Sequence, residues 1–140
     1  MNSELKFRLC RDADFDAAER WLADRPRKLF FPARRLIPPS SSFCAADEAD
    51  DPVAIAIFHV CGDAAVAMLS WLFTDPGAGI FRAHEAATLA IRGGLFCLDR
   101  QGVSMILSRL SPRWAVRLLE REGFAPTMEV KTEMGRFRQF

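Results

Sequence analysis

Tyrosine is missing from this sequence of 140 residues, although twelve phenylalanines and three tryptophans are present, so no phenolic hydroxyl is at hand as a general acid. Charge of one sign is missing too. Lys and Arg number 19 against 18 Asp and Glu, and a formal net charge of +1 excludes a histone-like polycation. The longest apolar stretch, 53–73, is interrupted by His59, Gly62 and Asp63, which leaves no span of about 20 apolar residues for a bilayer. The opening Met-Asn-Ser-Glu-Leu-Lys-Phe has no apolar run ahead of a small-residue cleavage site, so a cytoplasmic setting is expected. The four cysteines, Cys10, Cys44, Cys61 and Cys97, lack the paired spacing of zinc ligands; they are expected as small buried hydrophobes, with no metal. What is abundant is apolar surface. Hydrophobic residues make up 50% and charged residues 26%, enough for one core, and 1–140 reads as a single domain.

Periodicity divides that domain into elements. Leu5, Phe7 and Leu9 alternate with Lys6, Arg8 and Cys10, predicting a half-buried strand over 5–11. Asp12 or Asp14 then caps a helix whose apolar face holds Phe15, Ala18, Trp21 and Leu22. The segment 25–42 is basic and proline-rich and predicts a short helix or lid, closed by Pro38-Pro39. Strands follow over 41–46, 53–61 and 64–73, the last two forming a hairpin turned at Gly62-Asp63. Ala83, Ala87, Ile91, Gly94, Leu95 and Leu98 share a face of a long helix, and Gly93-Gly94 inside it predicts a bend or a close backbone contact. A strand at 104–110 leads into a helix with Ser111 as N-cap, Pro112 in its first position and a stripe of Trp114, Ala115, Leu118 and Leu119, stopped by Gly123. Trp114, Leu118 and Phe124 are expected in the core, and 127–137 reads as one final strand.

Two segments carry a resemblance. Leu118-Leu119-Glu120-Arg121-Glu122-Gly123-Phe124 is similar to the leucine-tyrosine-x-x-x-glycine-phenylalanine motif of the GNAT superfamily of N-acetyltransferases. Thr74-Asp75-Pro76-Gly77-Ala78-Gly79 resembles that family's pyrophosphate loop, in which a basic or amide residue precedes x-x-glycine-x-glycine or alanine. The order of elements over about 120 residues is also similar to the family's. The resemblance implies an α+β fold, a mostly antiparallel twisted sheet splayed between its fourth and fifth strands with helices on both faces. It implies acetyl-CoA as cosubstrate, with the amides of Gly77, Ala78 and Gly79 on the pyrophosphate and Arg82 supporting it from the first helical turn. Backbone N–H groups at a helix N-terminus suit phosphate, and glycines permit its close approach. Thr74 departs from the basic residue, Pro76 removes a donor and Asp75 adds a negative charge, so a plain Pro-Gly turn stands as the alternative.

The catalytic residues stay unassigned. The family's tyrosine falls at Leu119, which cannot donate a proton, and its asparagine falls near Pro112. Ser108, Ser111, His59 and Glu85 are the remaining polar candidates; His59 lies in an apolar run, where it also reads as a packed histidine, and His84 beside Glu85 reads as structural. The acceptor, an amine-bearing small molecule, polyamine or peptide, would enter beside the basic stretch of Arg25, Arg27, Lys28, Arg34 and Arg35. That stretch reads equally as a solvated face, a phosphate or nucleic-acid contact, or a docking surface for a protein partner or a second copy, with Phe30 and Phe31 stacking on bases or sealing an interface. Two functions are therefore carried forward. One is an acetyl-CoA-dependent N-acyltransferase. The other is a GNAT-like binding or structural protein without turnover, for which the departures at Thr74, Asp75 and Leu119 and a sheet truncated after Phe124 suggest small proteins of bacteriophage genomes, some of them virion components.

Overall fold

The hydrophobic residues of alternating strands and of two helical faces meet in one mixed sheet of seven strands, ordered β1-β2-β3-β4-β5-β7-β6. The computed structural model describes residues 4–23, 31–62, 65–108, 113–126 and 134–137. The strands are β1 Lys6–Leu9, β2 Ser42–Ala46, β3 Pro52–Cys61, β4 Val66–Thr74, β5 Met105–Ser108, β6 Ala125–Pro126 and β7 Met134–Phe137, and the helices are α1 Asp12–Ala23, α2 Ile80–Arg100 and α3 Arg113–Arg121. Neighbouring strands are antiparallel except β4 and β5, which run parallel from Val66 opposite Met105 to Leu69 opposite Ser108. A parallel pair requires a crossover, and α2 supplies it. This is the α+β, splayed architecture that the sequence implies.

Two cores lie on opposite faces of the sheet. Ala54, Ala56 and Phe58 of β3 and Ala67 and Leu69 of β4 face α2 and α3, packing on Ala86, Ala87, Ala90, Ile91, Leu95, Leu118 and Leu119. Ile55 and Ile57, one residue out of phase as the strand period demands, face α1 through Phe15, Ala18, Trp21 and Leu22. Asp14 secures the start of α1: its carboxylate accepts the Arg11 backbone N–H at 2.7 Å and pairs with the Arg8 guanidinium at 2.6 and 3.0 Å. α2 runs unbroken through Gly93 and Gly94; a Cβ on Gly93 would collide with the Phe7 ring, and one on Gly94 would stand 2.8 Å from Phe43. They are the close-contact alternative, small residues over which aromatic rings pass.

The motif at the end of α3 has a plain mechanical basis. Gly123, at φ 93°, lets its N–H reach the Glu120 carbonyl at 3.1 Å while the Phe124 N–H reaches Leu119 at 3.0 Å. This paired closure satisfies the last carbonyls of the helix and folds Phe124 back onto Leu119 in the core.

Two expectations are corrected. The sheet is not truncated after Phe124, because β6 and β7 follow; β7 lies within the 127–137 expected as a strand, and 127–133 lie outside the described residues. Trp114 is 42% exposed whereas Leu118 and Phe124 are buried, because Trp114 lies at the edge of the α3 stripe, on the side away from the buried Ala115 and Leu119. The lid region holds two single-turn 3-10 helices, Arg34–Leu36 and Pro39–Ser41; residues 24–30, including Arg25, Arg27, Lys28 and Phe30, lie outside the described residues. So do Asp63 of the hairpin turn and the proposed Ser111-Pro112 cap.

Candidate functional site

Among the described residues the parallel pairing runs to Leu69 and Ser108, and β4 continues through Ser70, Trp71, Leu72 and Phe73 to Thr74. Along that extension β4 is held by β3 alone among the described strands. Its pairing with β3 also skips a residue: Ile57 lies opposite Trp71 and Phe58 opposite Leu69, so Ser70 is a bulge without a cross-strand partner. A bulge re-aims side chains locally, and this one directly follows the last described β4/β5 pair.

Beyond β4 the chain turns sharply into α2. The Asp75 N–H is held by the Val53 carbonyl at 2.8 Å, Pro76–Ala78 form a 3-10 turn, and Gly79 takes φ 83°, ψ 159°, a conformation that only glycine adopts freely. The first α-helical bond runs from the Ala83 N–H to the Gly79 carbonyl, so the amides of the turn ahead of it have no intrahelical acceptor. Of the three amides implied by the resemblance, Gly77 donates to the Asp75 carboxylate at 2.9 Å and Ala78 to the Asp75 carbonyl at 3.1 Å. Gly79 stands past both, at the head of the helix. A recess of about 310 Å³ opens here between Ala78, Gly79, Ile80, Phe81, Arg82 and Glu85.

That recess runs on into a groove. Ile80 is shared with a hollow of about 230 Å³ walled by Thr74, Ala83, His84 and Trp114. Phe81, His84 and Glu85 continue into a larger hollow of about 590 Å³ between α2 and α3, closed at its far end by Arg92 bonded to Glu122 at 2.7 Å. The groove therefore follows α2 from its positive end, with apolar walls near the β4/β5 opening and charged ones further along. Ile80 is 86% and Phe81 91% exposed, a large apolar area for a helix to offer to water.

The opposite face of the same opening is polar. His59 continues the Ile55 and Ile57 alternation toward the α1 side and meets the Trp71 ring edge-on at 5.6 Å. Its Nε2 lies 2.7 Å from the Leu36 carbonyl and its Nδ1 2.6 Å from the Ser70 hydroxyl. His59 and Glu85, two of the candidates, are thus on opposite faces of the sheet. Ser108 is fully buried at the last β4/β5 pair, Ser111 lies outside the described residues and Leu119 is core. Ser70 escapes sequence reasoning because a serine in an apolar strand carries no signal until the bulge and its neighbour across β3 are known. Ile80, Phe81 and Trp114 escape for a related reason: they look like core.

Electrostatics narrow the basic stretch. Arg34 pairs with Asp16 at 2.7 Å and Glu19 at 3.0 Å and lies over the rings of Phe15 and Phe31, which ties this part of the stretch to α1 rather than offering it to a nucleic acid. Phe31 seals, packing against Phe15 and Phe73. Cys10 and Cys44 are brought together across β1 and β2; their hydrogen bond, and then burial, hold the Cys10 thiol far above its usual titration range. Among the described residues no three His, Cys, Asp or Glu side chains could hold a metal, and no helix is long and apolar enough to cross a membrane.

Comparison with solved structures identifies the architecture. The chain is similar to Ard1 from Thermoplasma volcanium (TM-score 0.75, 15% identity, 97% of this chain and 99% of that one) and to a GCN5-related N-acetyltransferase from Kribbella flavida (TM-score 0.74, 17% identity, 96% and 98%). It is likewise similar to a chain of the NatC complex bound to Gag peptide and CoA (TM-score 0.73, 13% identity, 97% and 99%). This protein thus has the fold of the GNAT N-acetyltransferases. No family model and no curated protein matches its sequence.

Proposed function

We propose that the protein is an acetyl-CoA-dependent N-acyltransferase whose coenzyme lies in the groove along α2 and whose acceptor amine arrives from the α1 side. The observation that carries this reading is the passage of β4 beyond its last described β5 pair directly beside the first turn of α2, whose leading amides have no intrahelical acceptor. A helix end suited to phosphate then lies next to a strand stretch, Ser70 to Phe73, that has no β5 pairing among the described residues. The residues suit the ligand: the Gly79, Ile80 and Phe81 N–H groups and the positive helix end face a pyrophosphate, Arg82 adds a cation, and Ile80, Phe81 and Trp114 supply apolar and aromatic surface. The structural relatives support it, since one is bound to CoA.

In this site the chain's contribution is mainly placement. Holding thioester and amine together is worth roughly 7–11 kcal/mol. The missing tyrosine is not prohibitive: a thiol is far more acidic than an alcohol, so a coenzyme thiolate leaves without a strong side-chain acid. Acceptors of this class are small amines, polyamines or peptide N-termini.

Calorimetric titration of CoA and acetyl-CoA tests the reading. Binding in the micromolar to millimolar range is expected, and Gly79→Asp should weaken it at least about tenfold by placing a carboxylate and a Cβ at the phosphate site. Absence of binding by folded protein at millimolar ligand would overturn it.

A further inference from the structure

Resting on that reading, we propose that Ser70 and His59 carry the proton away from the attacking amine, Ser70 meeting the amine and His59 acting behind it as the positioning residue that receives the proton. The hydrogen bonds themselves set the direction. A carbonyl oxygen can only accept, so the 2.7 Å contact of His59 Nε2 with the Leu36 carbonyl places a hydrogen on Nε2. The neutral ring then offers the Nδ1 lone pair to the Ser70 hydroxyl 2.6 Å away, and the hydroxyl donates. The other acceptor within reach of Ser70 is the Met68 carbonyl, at the longer distance of 3.3 Å. With its proton pointed at His59, the Ser70 oxygen keeps a lone pair for an incoming N–H. A hydroxyl, a base within hydrogen-bond reach and a third group orienting the base make a proton-accepting array.

Position supports the role. Ser70 is the bulge residue of β4 and directly follows Leu69, the last residue of β4 paired with β5 among the described residues. Both side chains are half-buried, reachable yet shielded, and Trp71 braces the imidazole. The carbonyl that orients the ring belongs to the Arg34–Leu36 turn at the end of the basic stretch, so the α1-side segment is part of the same array.

The step balances as a simple transfer. The neutral amine nitrogen attacks the thioester carbonyl carbon, forming C–N; the C–S bond breaks and its electron pair leaves on sulfur. One N–H proton passes to Ser70 Oγ as the serine's own proton passes to His59 Nδ1. The imidazolium, still donating from Nε2 to Leu36, returns that proton to water, and the thiolate is protonated from water.

The test is release of coenzyme thiol from acetyl-CoA by the full chain with a panel of primary amines, spermidine and short peptides with free N-termini, alongside calorimetric binding of acetyl-CoA. Ser70→Ala and His59→Gln should each lower kcat about 10²-fold or more while KM and Kd for acetyl-CoA stay within about twofold, and Ser70→Thr, which keeps the hydroxyl, should retain much of the rate. Variants within threefold of wild-type kcat, or losses confined to KM, would overturn the relay and leave the acyltransferase reading standing. Coenzyme binding without turnover of any amine would also overturn the relay. No coenzyme binding by the wild-type chain removes the reading beneath it.

Discussion

The Asp75 carboxylate accepts the Gly77 backbone N–H at 2.9 Å, so the acid whose charge opposes a phosphate is also the side chain that shapes the loop's turn. An asparagine retains the acceptor oxygen without the charge. Asp75→Asn should keep the turn and tighten CoA binding roughly two- to tenfold at low salt, with the gain shrinking as salt is added. Asp75→Ala, lacking the acceptor, should not reproduce the gain. Calorimetric titration at two salt concentrations checks both.

Gly94 is fixed by its neighbours rather than by its backbone. A Cβ there would stand 2.8 Å from Phe43 and 2.9 Å from Phe58, both buried and stacked into the sheet face beneath α2. Gly94→Ala should therefore cost about 1–3 kcal/mol by overpacking, against the usual helix-stabilising sense of that substitution. Urea denaturation decides between the two signs.

Leu118 and Trp114, one turn apart on α3, should separate stability from binding. Leu118→Ala removes a buried side chain and should cost about 2–5 kcal/mol. Trp114→Ala should cost under about 1 kcal/mol in the same denaturation experiment yet weaken coenzyme binding severalfold, because its ring walls the groove.

Asp50 supplies a pH test. Its hydrogen bonds from Arg8 and then Arg11 hold its carboxyl below the ordinary carboxylate range. With the folded value below the unfolded one, its stabilisation is complete above about 3.9 and lost as pH falls through the folded value. Asp50→Asn should be less stable than wild type near neutrality, and the two stability curves should converge in acid. Asparagine tolerates the left-handed φ of 66° at this position, so the substitution isolates the charge.

Much of the fold was legible because it is written in local periodicity. Leu5, Phe7 and Leu9 mark β1, the stripe from Ala83 to Leu98 marks α2, and Gly123 marks the stop of α3. Local periodicity misled at one place. Trp114 falls on the apolar stripe of α3 but at its edge, on the side away from Ala115 and Leu119, and stays 42% exposed. The difference changes no residue's preference; it depends on which neighbour the fold supplies.

The same division governs the site. By itself the sequence determined the apolar content that fills a core, the strand-to-helix turn at Gly77 and Gly79, and the absence of a phenolic acid, since each follows from composition or from one residue's own conformational limits. Tertiary structure alone decided that Ser70 bulges out of β4 opposite no partner, that His59 from the neighbouring strand turns Nδ1 to it while Leu36 fixes the other nitrogen, and that Ile80, Phe81 and Trp114 wall a groove instead of a core. Those are pairings between residues 11 to 34 positions apart, as His59 is from Ser70 and Ile80 from Trp114. A chain's local preferences do not encode such distances; strand register and helix docking do.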